Sequence, residues 1–69
     1  MKERLVRLPA FGGGVIVKMK RSPRLEMMGL HPGTTVACTY KSRGIIVLEI
    51  GHRLIALRRK ELEHIWVDY

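Results

Sequence analysis

Ile45-Ile46-Val47-Leu48-Glu49-Ile50-Gly51-His52-Arg53-Leu54-Ile55-Ala56-Leu57 is the stretch that decides the fold. Two runs of aliphatic and β-branched residues flank Gly51-His52, a pair of the kind that joins strands in a tight hairpin. The first run, 45–50, is apolar on both faces for most of its length, which predicts a central strand. The second, 53–57, returns beside it.

Upstream, Lys41-Ser42-Arg43-Gly44 reads as a polar hairpin loop entered from a strand over residues 35–40. His31-Pro32-Gly33-Thr34 is a turn: proline supplies a fixed φ and glycine the permissive position. Before it, Ser22-Pro23 and Gly29 bracket a very short helix. Ser22 caps the first free amides, Pro23 suits the first helical position, and Gly29 takes the left-handed conformation that ends the helix. So short an element must dock on the sheet, with Leu25 and Met28 on one face and Leu30 closing over them. Val15-Ile16-Val17-Lys18-Met19-Lys20 is a strand whose alternation places Val15, Val17 and Met19 inward and Lys18 and Lys20 toward water.

Residues 1–13 are expected to be a poorly defined leader, broken by Pro9 and the glycine run at 12–14. That run lacks the following Lys-Ser/Thr and long helix of a phosphate loop. Downstream, residues 58–64 predict a helical or 3-10 turn, and Ile65-Trp66-Val67 a closing strand. Five short strands with one helical insertion predict an all-β, partly closed small barrel, a single domain over 1–69.

The chain has 69 residues, with 13 Lys and Arg against 6 Asp and Glu, a net charge of +7. Such an excess attracts nucleic acid, anionic lipid or an acidic protein face. Cys38 is the single cysteine, which excludes an intrachain disulfide and fits a reducing compartment. The first residues carry charge without a sustained apolar run, unlike a secretory signal or a membrane span, so a cytoplasmic location is expected.

Three segments together resemble one family. Arg24-Leu25-Glu26-Met27-Met28-Gly29-Leu30-His31-Pro32-Gly33-Thr34 is similar to the helix-and-turn signature of the FeoA family. The hairpin Gly51-His52-Arg53-Leu54-Ile55-Ala56-Leu57-Arg58-Arg59 and the closing Glu61-Leu62-Glu63-His64-Ile65-Trp66-Val67 are similar to its later segments. The resemblance spans about residues 15–67. It implies an SH3-like barrel and a cytoplasmic accessory role in bacterial ferrous-iron uptake, beside the membrane transporter FeoB. The same domain occurs at the carboxyl end of iron-dependent repressors.

Catalysis is not expected. Ser22 and Ser42 occupy turn positions, and Cys38 in an apolar strand reads as a small core hydrophobe. His31, His52, His64 and Cys38 show no close-spaced ligand pair, so no metal or other cofactor is expected. Glu61 and Glu63, two apart, do not share a helical face. The candidate partner-binding residues are Arg24, Met27 and Leu30 on the short helix and turn, and Arg53, Arg58 and Arg59 on the hairpin and the turn after it. Lys18 and Lys20 form a further basic cluster, and Trp66 is expected in the core. A protein partner, with no small-molecule substrate, leads. A nucleic-acid-binding barrel is the alternative, weakened because no two aromatics alternate on one strand. A repressor-type interaction domain and a homo-oligomer stay open.

Overall fold

The computed structural model describes all residues, Met1–Tyr69. Its strands are β1 (Lys2–Arg4), β2 (Gly13–Met19), β3 (Thr35–Lys41), β4 (Ile45–Ile50), β5 (Arg53–Arg58) and β6 (Ile65–Asp68). They form one antiparallel sheet in the order β1-β6-β2-β3-β4-β5, coiled around an apolar core. A single helix, α1 (Pro23–Met27), is inserted between β2 and β3, and 3-10 turns span Leu5–Arg7 and Arg59–Leu62. The all-β, SH3-like barrel with one short helix is therefore the fold. No helix is long and apolar enough to cross a membrane.

The hairpin of β4 and β5 lies where the sequence predicts it. β4 sits between β3 and β5, and Ile46, Leu48 and Leu57 are buried. Gly51, with φ +61°, carries the positive φ of the tight turn between the paired Ile50 and Arg53.

The helix ends as its residues dictate. The Ser22 side chain accepts from the Leu25 amide at 3.4 Å, and Pro23 opens the first turn. At the other end Gly29 has φ +95°; its N–H donates to Glu26 O at 3.0 Å, and that of Leu30 to Leu25 O at 3.0 Å. This is the Schellman arrangement, and the accompanying apolar contact comes from the buried Leu25 and Leu30.

The following turn closes with Thr34 N–H on His31 O at 3.0 Å, Gly33 holding φ +96°. It is tied to β2: Gly33 N–H donates to Ile16 O, and Ile16 N–H to Thr34 O, both at 2.8 Å. A Cβ at Gly33 or at Gly44 would meet nothing within 4 Å, but only Gly33 has a left-handed φ. Gly33→Val is therefore expected to cost about 1–2 kcal/mol through backbone strain alone, and Gly44→Val far less. Chemical denaturation of both variants checks this, and equal losses would contradict it.

Two expectations are corrected. Residues 1–13 are an ordered part of the barrel. β1 pairs with β6, and Leu5, Val6 and Leu8 are buried in the core. A sixth strand thus joins the five expected. The glycines after this segment permit close strand approach: a Cβ at Gly13 would stand 2.9 Å from Val36 O, and one at Gly14 2.7 Å from Asp68 O.

The second correction concerns the faces of β2. Ile16 is the buried residue, whereas Val15 and Val17 are 39% and 38% exposed. The register with β6 shifts between Ile16, which pairs with Val67, and Lys18, which pairs with Trp66. This bulge at Val17 inserts one residue and reverses the alternation, so Ile16 and Met19 both turn inward. Strict period-two reading fails across such an insertion.

Candidate partner-binding surfaces

The residues singled out around the helix and hairpin are mostly engaged within the fold. Arg24 forms an ion pair with Glu61, joining α1 to the second 3-10 turn. Arg53, at the start of β5, donates to Met28 O at the end of the helix at 2.9 Å. Arg59 is half-buried and donates to Val6 O at 3.3 Å, while its backbone N–H donates to Gly44 O at 2.9 Å. Leu30 is wholly buried, which removes it as a partner contact: the left-handed Gly29 turns the chain so that Leu30 folds back onto Leu25. Exposed Arg58 and Met27, the latter 88% exposed, remain unengaged.

A different surface assembles on the outer side of β1, β6 and β2. Arg4 pairs in register with Trp66, and Trp66 with Lys18 across the next strand. One cross-strand row therefore reads Arg4–Trp66–Lys18. Side chains in such a row stand about 5 Å apart at their Cβ atoms. The Arg4 guanidinium lies 5.6 Å from the centroid of the Trp66 ring, within the range of cation–π attraction. Trp66 is half-buried on this outer face. Core placement was expected, but Ile65 and Val67 on either side of it point inward and force Trp66 out.

The neighbouring row is Lys2–Asp68–Val15. The Met1 ammonium lies 2.9 Å from Asp68 Oδ1, and its hydrogen bond and charge hold that carboxyl below its ordinary pKa. Asp68 is thus already neutralised by a partner. Lys18 and Lys20 were legible as an outward basic pair; Lys2, Arg4 and Trp66 were not joined to them in sequence. Their sequence signal is the alternation of Lys2 with Arg4, which places both on the outer face of β1.

Two hollows lie along this face, and a third adjoins them at the α1 end. One of about 460 Å³ is lined by Lys2, Val17, Lys18 and Trp66. The next, about 280 Å³, shares Lys18 and Trp66 and adds Arg4, Lys20, Glu63 and His64. The last, about 170 Å³, shares Lys20 and His64 and extends to Arg21, Arg24 and Glu61.

The other chemistry-bearing residues are dispersed. Cys38 is buried in β3. His31 Nδ1 lies 3.2 Å from Thr34 Oγ1 in the turn after the helix. No three His, Cys, Asp or Glu side chains converge as a metal site. Anaerobic calorimetry with ferrous iron is accordingly expected to show no one-to-one complex in the micromolar range, about −8 kcal/mol. Such a complex would refute this reading of the ligands.

Comparison with known proteins gives a consistent result. The FeoA domain model matches residues 4–69. The fold is similar to the crystal structure of an iron uptake regulatory protein (FeoA), with TM-score 0.88 and 22% identity over 97% of this chain and 96% of that one. It is also similar to a manganese-dependent transcriptional repressor, with TM-score 0.84 and 15% identity over 96% of this chain and 40% of the repressor. No curated protein matches the sequence.

Proposed function

The chain belongs to the FeoA family, which serves ferrous-iron transport systems, and from that premise we propose that it is a cytoplasmic accessory protein that binds and regulates a FeoB-type transporter. It does so through its surface and carries out no reaction of its own. The family match over almost the whole chain carries this reading, and the net charge of +7 supports it by providing long-range attraction to an acidic cytoplasmic surface.

Arg58 is the candidate residue best placed to steer the encounter, its backbone fixed at the end of β5 opposite Ile45 and its exposed side chain held by no hydrogen bond or ion pair. Arg24, Arg53 and Arg59 serve the fold first, and substituting them confounds binding with folding. Met27 is an exposed apolar contact beside them.

The test is association with the purified cytoplasmic domain of the transporter at two ionic strengths. Binding is expected to weaken as salt rises, and Arg58→Glu to slow association a few-fold at low salt with the fold intact. Absence of any association, together with unchanged ferrous-iron uptake in cells lacking the protein, would refute the proposal. Nucleic acid has less support as the partner, because Arg4 lies over the Trp66 ring where a base would stack.

A further inference from the structure

We propose that the outer face of β1, β6 and β2, centred on Trp66 between Arg4 and Lys18, is a docking surface for an acidic, extended protein segment. The proposal rests on the accessory role only in expecting a protein partner. Its location and chemistry come from the surface itself.

Charge is the first argument. Lys2, Arg4, Lys18, Lys20 and Arg21 lie along one side of the molecule. Against them stand Glu63, Glu3, whose carboxylate accepts from the Arg4 N–H at 2.8 Å, Glu61, which is paired with Arg24, and Asp68, which is paired with the Met1 ammonium. The free charge on this side is therefore strongly positive. A second copy of the chain would bring the same cations against each other, each copy carrying +7, so self-association through this face is opposed.

Shape is the second argument. The three hollows are consecutive: the first two share Lys18 and Trp66, and the second and third share Lys20 and His64. Adjacent hollows linked through shared walls suit an extended segment laid across them better than a compact ligand. Their middle holds the residue types that most often dominate binding energy at interfaces, a tryptophan and an arginine. Arg4, stacked on Trp66, has its guanidinium held against the ring, which reduces the entropy lost when it grips a carboxylate.

The same features disfavour other polyanions. A nucleic acid would stack bases on the ring that Arg4 covers. An anionic membrane would be met by inserting several apolar side chains, but the most exposed ones, Met1, Phe11, Met27 and Leu54, do not line the hollows, where Val17 is the one exposed aliphatic.

Trp66 is the single tryptophan, so its fluorescence reports on this face alone. The experiment titrates the full chain with a short peptide alternating glutamate and apolar residues, then with a single-stranded oligonucleotide and with phosphatidylserine vesicles. The peptide is expected to change Trp66 emission saturably. Lys18→Glu should weaken binding roughly tenfold at low salt, and Lys18→Gln in the same direction by less. Arg43→Glu, the same charge change on the β3–β4 loop, should have only a slight effect; circular dichroism checks that each variant is folded. Peptide binding without a Trp66 response, equal losses at Lys18 and Arg43, no peptide binding, or tighter binding of the oligonucleotide or vesicles would each overturn the proposal. Transporter binding that leaves Trp66 silent would sink this surface and spare the accessory role. A Trp66 response to the peptide without transporter binding would do the reverse.

Discussion

Leu8→Ala is expected to lower the stability of the domain by about 2–5 kcal/mol, the range for truncating a buried leucine. A domain of this size has only about 3–10 kcal/mol in total, so the variant should be largely or partly unfolded at physiological temperature. The reason lies in the 3-10 turn over Leu5–Arg7. Its Leu5 and the following Leu8 are each 1% exposed, and Leu8 N–H donates to Leu5 O at 3.1 Å. Leu8 thus belongs to the same buried cluster as the strand residues, and truncating it leaves a void in that cluster. Arg7, exposed between Leu5 and Leu8, provides the comparison: Arg7→Ala should change stability by no more than about 0.5 kcal/mol. Urea denaturation followed by circular dichroism measures both. Near-equal midpoints for the two variants would show that this segment contributes little to the core.

How much of this was legible in sequence depended on the range of the interaction that fixes each element. The helix bracket, the Pro-Gly turn and the Gly51 hairpin were legible because each is set by residues within a few positions of one another. The 3-10 turn over Arg59–Leu62 was legible for the same reason. Residues 1–13 were not. Pro9 and the glycines at 12–14 look like breakers in a local reading, but Gly13 and Gly14 serve close contact with Val36 O and Asp68 O, far along the chain. The faces of β2 were misread because the bulge at Val17 is imposed by pairing with β6.

The candidate surface followed the same division. Arginines near the hairpin were visible as charge, but whether an arginine is free or tied to a backbone carbonyl is decided by chain segments distant in sequence. Arg53 meets Met28 O, and Arg59 meets Val6 O. The Arg4–Trp66–Lys18 row joins three segments that only strand pairing brings together.

Lys41 and Arg59 give the second large effect, through an acceptor they share. Lys41 Nζ donates to Val6 O at 2.7 Å and to Leu8 O at 2.9 Å, and Arg59 donates to the same Val6 O at 3.3 Å. These part-buried bonds pin the carbonyls of the first 3-10 turn, whose side chains fill the core. Lys41→Met keeps the apolar stem and removes the ammonium. It should cost about 1.5–3 kcal/mol, as expected for hydrogen bonds from a charged donor. Arg59→Met should cost less, because its bond is longer and Lys41 still satisfies Val6 O. In the double variant Val6 O loses both donors and Leu8 O its only side-chain one. The carbonyl left unsatisfied carries a desolvation penalty that neither single variant incurs in full. The loss in the double variant should therefore exceed the sum of the single losses by more than about 0.5 kcal/mol, the limit within which independent sites add. Urea denaturation of the four proteins in the cycle measures the difference. Strict additivity would mean that the two cations act on the turn independently. A Lys41→Met cost below about 0.5 kcal/mol would mean that the ammonium contributes little to holding the turn.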